Sequence, residues 1–146
     1  MQTFLPFPSF VDSAAVLDRA RLGKQRVGAL QVLRAITIPT YGWRHHPAAA
    51  MWRGFVPALT KYAVVMADEW IARGHDDSVR AQVLDFAPEI EYAEQSALRQ
   101  PTWVGDPAFH RSHQSNLIRK DPGFYTPLFP GVSDDLPYVW PGEQPP

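Results

Sequence analysis

Between Leu17 and Leu33 the chain reads LDRARLGKQRVGALQVL, which sets Asp18, Arg19, Arg21, Lys24, Gln25 and Arg26 close together on one helical segment. Guanidinium and ammonium groups at this density hold phosphate or carboxylate oxygens, through charge and through aimed N–H donors. The signal continues past the segment. From Arg19 to Ala67 there are eight basic residues and no Asp or Glu, whereas a helix kept only for solubility mixes signs and pairs them at i,i+4. Without a ligand, the simplest reading is a solvated helix in which Asp18 pairs with Arg21 or Lys24.

The charge is also unevenly divided along the chain, although the net charge is only −1. Residues 68–94 carry eight acids against Arg73 and Arg80, and residues 99–120 turn basic again with Arg99, Arg111, Arg119 and Lys120 against Asp106. Folded together, the two basic stretches make one positive face; by chance alone, solvated charges also fall in runs. The pI near 6.5 is below that of a typical nucleic-acid binder.

Histidines and aromatics form the next constellation. His45 and His46 are adjacent, and His110 and His113 stand three apart on a late helix. That spacing suits a metal, yet no Cys or nearby Glu completes a ligand set, so neither metal nor cofactor is expected. On the same helix His113, Asn116 and Lys120 share an edge, and the bland alternative for the histidines is hydrogen-bonded helix packing. Tyr41 and Trp43 border an Arg44–His45–His46 loop, where an aromatic ring can stack on a base. Tyr125, in DPGFY, is a further aromatic placed to reach a nucleic acid. In a chain this small such rings are more often core or rim.

The elements that must position these groups are helices. Pro6 and Pro8 make residues 1–12 an extended arm. Ser13 is the expected N-cap of a first helix over 14–36, stopped by Pro39 and Gly42. On it Val16, Ala20, Gly23, Val27, Leu30 and Leu33 form the expected core face, with Arg19 and Arg26 beside it. Ala20 and Gly23 there imply a close approach to the backbone. Arg21, Lys24 and Gly28 form the opposite stripe. Pro47 opens a second helix and Pro57 a third, which runs through ALTKYAVVMADEWIAR to Gly74 as its C′ residue. Asp77 or Ser78 caps a short helix to about residue 86, and 88–98 is another. Asp106 and Pro107 open a last helix that ends near Lys120, at Pro122–Gly123. Beyond Thr126 a Pro-rich tail runs extended, anchored by Phe129, Tyr138 and Trp140. No alternating strand pattern is present, so the class is all-α: a single-domain helical bundle over 1–146.

Composition bounds the rest. Without cysteine there are no disulfides or thiolate sites. No apolar run reaches the ~20 residues of a membrane span, and the proline-broken N-terminus is no signal peptide. A cytoplasmic monomer without membrane contact is the expectation.

The segments MQTFLPFPSF, LDRARLGKQRVGALQVL, GWRHHPAAAMW, EWIARGHDD and HRSHQSNLIRKDPGFY, with the PLF and DLPYVWP tail, together resemble the pyrimidine-dimer DNA glycosylase (endonuclease V-like) family, and most of all its bacterial branch. The resemblance implies a compact helical protein that binds damaged or modified duplex DNA with its N-terminal arm between helices. It implies a glycosylase/AP lyase whose N-terminal α-amine attacks C1′ of the damaged nucleotide, forms an imine and nicks the strand by β-elimination, assisted by a glutamate on the first helix. An α-amine has a pKa of about 7.7–8.0, so a useful fraction is neutral and nucleophilic at pH 7. Carried onto this chain, Met1, Gln2, Asp18 and Arg26 fall at the catalytic positions. Arg21, Lys24, Gln25, Arg44, His45, His46, His113, Asn116, Lys120 and Tyr125 fall on the DNA side. The expected groove is bounded by the first helix, the Trp43–Pro47 loop and the fourth helix of the series, and His46, His113 and Lys120 complete the pocket.

Two positions depart from the family pattern. Gln2 is too large for the peptidase that removes initiator methionine, so the free amine is that of Met1. The family glutamate falls on Val27 or Gly28, and Glu is common in the bacterial branch where Gly28 stands. Two further readings therefore stay open: a nucleic-acid-binding protein of this fold without chemistry, and an enzyme acting on a free nucleoside or another small anion.

Overall fold

The computed structural model describes residues 2–141. Among them are seven α-helices and no strand, in agreement with the all-α expectation. They are α1 (Phe10–Val16), α2 (Arg19–Thr37), α3 (Pro47–Trp52), α4 (Val56–Ala72), α5 (Arg80–Leu84), α6 (Pro107–Lys120) and α7 (Pro122–Tyr125). The most apolar, α4, is the axis of the fold, and α1, α2 and α5 pack on it. Tyr62 through Ala67 are buried without interruption, because α4 is covered on nearly every side. The buried apolar side chains form one contiguous cluster fed by all seven helices and the arm. Fully buried Trp52, Tyr62, Tyr125, Phe10 and Phe109 are its largest contributors, at about 1.5–3 kcal/mol for each large apolar side chain removed from water.

Capping chemistry sets several boundaries where the sequence places them. Asp106 accepts from the Ala108 amide at 3.0 Å and Pro107 begins α6. The oxygen Oδ2 of Asp77 accepts from the amides of Val79 and Arg80 ahead of α5. Gly74 follows α4 with φ +93°, a left-handed conformation that glycine adopts without strain.

Other boundaries differ from expectation. The single helix over 14–36 is two helices. The earlier one begins at Phe10, capped by Ser9 rather than Ser13; Ser13 is buried and bonds both the amide and the carbonyl of Phe7. Leu17 and Asp18 are extended and separate α1 from α2. Leu17 is 1% exposed, and the Asp18 amide donates to the Tyr125 hydroxyl at 2.8 Å, so burial and a distant hydrogen bond favour a corner over helical continuity. The arm is accordingly shorter than expected: the chain bends over residues 6–9 and α1 follows at Phe10. Residues 88–98 form two short 3-10 turns, Pro88–Ile90 and Gln95–Ala97, instead of a helix. After Pro122 the chain makes another helical turn, α7, which buries Tyr125.

The corner also rotates the faces of α2. Its buried residues are Leu22, Gln25, Ala29, Leu30, Val32, Leu33 and Ala35. Val27 is 43% exposed, and Arg19 and Ala20 are exposed as well, contrary to the expected core face. The close approach is real at Gly23 alone: a Cβ there would lie 3.1 Å from the Trp70 ring.

Candidate active site

An open cleft of about 1300 Å³ runs along α2. Its floor is the exposed stripe of that helix, including Arg19, Lys24, Val27 and Gly28. Gln2 and Phe4 of the arm form one wall. Trp43 and His46 from the loop before α3 form another, and Tyr138 and Trp140 of the tail close the rim. Lys120, at the end of α6, adds a cation. Arg19, Lys24 and Lys120 make no ion pair within 4.0 Å among the described residues, and Asp18 is the only acid among those lining the cleft. The cleft is thus a positive, aromatic-rimmed groove.

The arm reaches this groove because side chains from four helices hydrogen-bond its backbone and the Thr3 hydroxyl. The Gln25 amide oxygen of α2 accepts from the Phe4 amide at 2.9 Å. The Tyr62 hydroxyl of α4 lies 2.8 Å from that same oxygen and 2.9 Å from the Phe4 carbonyl. From α3, the Trp52 indole donates to Thr3 Oγ1 at 2.9 Å. On α6, His113 Nδ1 accepts from the Leu5 amide at 2.9 Å, His110 Nδ1 bonds the Leu5 carbonyl at 2.8 Å, and Gln114 donates to the Pro6 carbonyl at 2.7 Å. An extended strand with no neighbouring strand must find such partners, since buried unpaired backbone groups are costly. This clasp explains four buried polar residues: Gln25, Thr3, His110 and His113.

Several sequence-expected site residues therefore stand elsewhere than on a DNA-facing surface. Gln25 is 5% exposed and His113 fully buried, because the arm occupies their polar atoms. Asn116 is buried too: it donates to the Ser112 and Leu136 carbonyls and accepts from Arg119, binding the tail to α6. Tyr125 is fully buried against Asp18; its neighbour Phe124 is the exposed ring, at 43%. Arg26 is outside the cleft lining. It pairs with Asp77, whose side chain is 2% exposed, and its guanidinium stacks 4.4 Å from the Trp70 ring centroid. Arg44 and His45 are exposed on the loop, outside the cleft lining, and Arg44 donates to the Pro39 carbonyl. Met1 lies outside the described residues. Gln2, Asp18, Lys24, His46 and Lys120 do converge on the cleft, and Gln25 borders it as well while its amide oxygen serves the arm.

Asp18 is held on both oxygens. The Tyr125 hydroxyl contacts Oδ1, and Arg21 donates to Oδ2 at 3.0 Å. Burial pushes this carboxyl up, but the hydrogen bonds from Tyr125 and Arg21 outweigh it and hold Asp18 below the usual carboxylate range. Burial, then the neighbouring carboxylate, pushes the Tyr125 hydroxyl up, so it stays a donor. Asp18 is consequently an ionised carboxylate at neutral pH, suited to facing a positive charge and poorly suited to carrying a proton.

The histidines differ. His46 caps α3, its Nδ1 accepting from the Ala48 amide at 3.0 Å, and burial lowers its pKa. Among the described residues no group of three His, Cys, Asp or Glu side chains is arranged to hold a metal. Burial drives His113 down to about 3. With Nδ1 accepting, its proton sits on Nε2, which is buried and has no hydrogen-bond partner. The unfolded chain binds a proton on this residue below about pH 6.5 while the folded chain does not. Stability therefore falls as pH drops from about 6.5 toward 3, by up to about 1.4 kcal/mol per pH unit for one proton. Urea midpoints across that range should show this slope, and His113→Asn should flatten it; equal slopes in both proteins would refute the assignment.

Sequence reasoning missed Tyr62, Thr3, Trp52 and Gln114 as parts of the clasp, and Trp70 as cleft wall. Each is an ordinary helix or arm residue by pattern, and none carries a local signal of its partner.

Comparison with known proteins bears on what this arrangement is for. No curated protein and no solved structure shows a significant match. The family model described as pyrimidine dimer DNA glycosylase matches residues 1–83, a span that includes the arm, α1 and α2, the His46 loop and the Trp70 wall. With more than half of its length matched by that model, the chain belongs to the pyrimidine dimer DNA glycosylase family.

Proposed function

We propose that this protein is a DNA glycosylase/AP lyase that acts through the amine of Met1 on damaged or modified duplex DNA, as a cytoplasmic monomer. The observation that carries the reading is the clasped arm: buried side chains of four helices fix Thr3 to Pro6, and Gln2 forms the cleft wall. Met1 is one peptide unit further on, so its amine is tethered within one residue of a cationic groove. A tethered nucleophile gains rate by having lost its translational freedom in advance.

The residue roles follow from placement. Arg19, Lys24 and Lys120 take phosphates at the groove. Asp18, ionised and braced by Arg21 and Tyr125, offsets the positive charge of the protonated imine. Arg26 acts from behind, by seating Trp70. Extruding a nucleotide into the groove suits its aromatic rim. The volume, about 1300 Å³ and open to solvent, exceeds the usual 300–1,000 Å³ of a small-molecule pocket, which favours DNA over a free nucleoside. One observation favours the non-catalytic alternative: Gly28 stands in the cleft with no carboxylate and empty space around it.

Borohydride trapping on abasic duplex DNA tests the reading. The expected result is a covalent adduct at the N-terminal peptide, lost when the amine is acetylated. Salt-dependent binding with no adduct would instead establish the binding-only alternative.

A further inference from the structure

His46 occupies an unusual position for a capping residue. Its Nδ1 accepts the Ala48 amide of α3, so the neutral ring carries its proton on Nε2, on the far side of the imidazole. The residue lines the cleft, and no group among the described residues accepts from Nε2. Two half-exposed indoles flank the ring, Trp43 at 5.3 Å and Trp140 at 6.0 Å between centroids. They are 42% and 36% exposed. Part-exposed indoles beside a fixed donor make a seat for a heterocycle with an acceptor on its edge.

We propose that His46 is a catalytic donor to the expelled base, its Nε2–H bonding the acceptor atom beside the glycosidic nitrogen while the base stacks at the Trp43 and Trp140 rim. This rests on the glycosylase reading above and extends it to the leaving group. The neutral Met1 amine forms the new N–C1′ bond as the C1′–base bond breaks. The electron pair of that bond departs with the base, and its charge spreads onto the adjacent carbonyl oxygen or ring nitrogen. A donor already aimed there stabilises this charge as it develops. The proton shed by the amine balances the one the departing base takes up, and His46 ends as it began. Its substrates are thus bases with an unprotonated acceptor next to the glycosidic nitrogen, and an abasic sugar makes no use of it.

The test separates capping from donation. Ser and Asn both cap helices well, but Ser loses the reaching donor while Asn keeps a side-chain N–H. His46→Ser and His46→Asn are compared with wild type on two duplexes, one carrying a pyrimidine dimer and one an abasic site. Glycosidic cleavage on the dimer duplex, read by borohydride trapping there because the cut base stays joined to its neighbour through the cyclobutane ring, should fall about a hundred-fold in His46→Ser, at least ten times more than trapping on the abasic duplex. His46→Asn should recover part of the loss, with melting temperatures close to wild type. Equal losses on both duplexes, or glycosidic cleavage on the dimer duplex unaffected by His46→Ser, overturn the proposal. Trapping on abasic DNA by a wild-type protein that cleaves no glycosidic bond in the dimer duplex also overturns it. A wild-type protein that traps on neither duplex fails earlier, at the amine chemistry itself.

Discussion

Gly28→Glu should raise strand cleavage at abasic sites about a hundred-fold, the lower range of what a positioned general acid/base contributes. Gly28 lies within α2 on the cleft floor, and a Cβ there would meet nothing within 4 Å. The first carbon of the side chain is therefore accommodated without displacing anything. β-Elimination needs a group that takes a proton from the opened sugar, and Asp18, held ionised by Tyr125 and Arg21, is a weak base for that task. The same substitution should stabilise the fold by up to about 1 kcal/mol, since glycine is a poor helix former. Rates on abasic duplexes and melting temperatures are read together. A melting temperature that rises while cleavage stays unchanged would show that this position is not the missing carboxylate. Val27→Glu is the companion variant, because Val27 also lines the cleft.

Gln25→Leu should cost about 2–3 kcal/mol of stability and lower borohydride trapping at least ten-fold. The substitution keeps the approximate volume and removes the oxygen that accepts from the Phe4 amide at 2.9 Å. That amide is then buried without an acceptor, at about 1–3 kcal/mol. The Tyr62 hydroxyl loses one of two partners and turns wholly to the Phe4 carbonyl. With its clasp on α2 gone, the arm no longer holds Gln2 at the cleft. Urea unfolding measures the first effect and trapping the second. A full loss of stability with undiminished trapping would show that the arm finds the cleft without Gln25.

Both effects depend on an arrangement only partly legible in the sequence. Gly28 is conspicuous there as a helix-interior glycine at the end of a cationic stripe, and Lys24 and Lys120 are recognisable as cleft cations. Gln25 is not readable as buried. Its neighbours are charged, and a polar residue in such a run reads as surface. His113 and Asn116 mislead in the same way: helical spacing puts them on an edge with Lys120, while the arm and the tail cover that edge. Arg26 belongs to Trp70 and Asp77 through contacts that cross 44 and 51 positions in the chain.

The amino-acid sequence by itself determined the class and most helix limits, because prolines, caps and the apolar run of α4 act over one or two turns. It also determined the sign of the groove, since no acid falls between Arg19 and Ala67. The tertiary structure decided which face of α2 is buried, where Asp18 breaks that helix, and which polar side chains serve the arm rather than a ligand. Those outcomes depend on partners from distant segments meeting at hydrogen-bond distance, and local propensity and periodicity carry no information about which distant residues will meet.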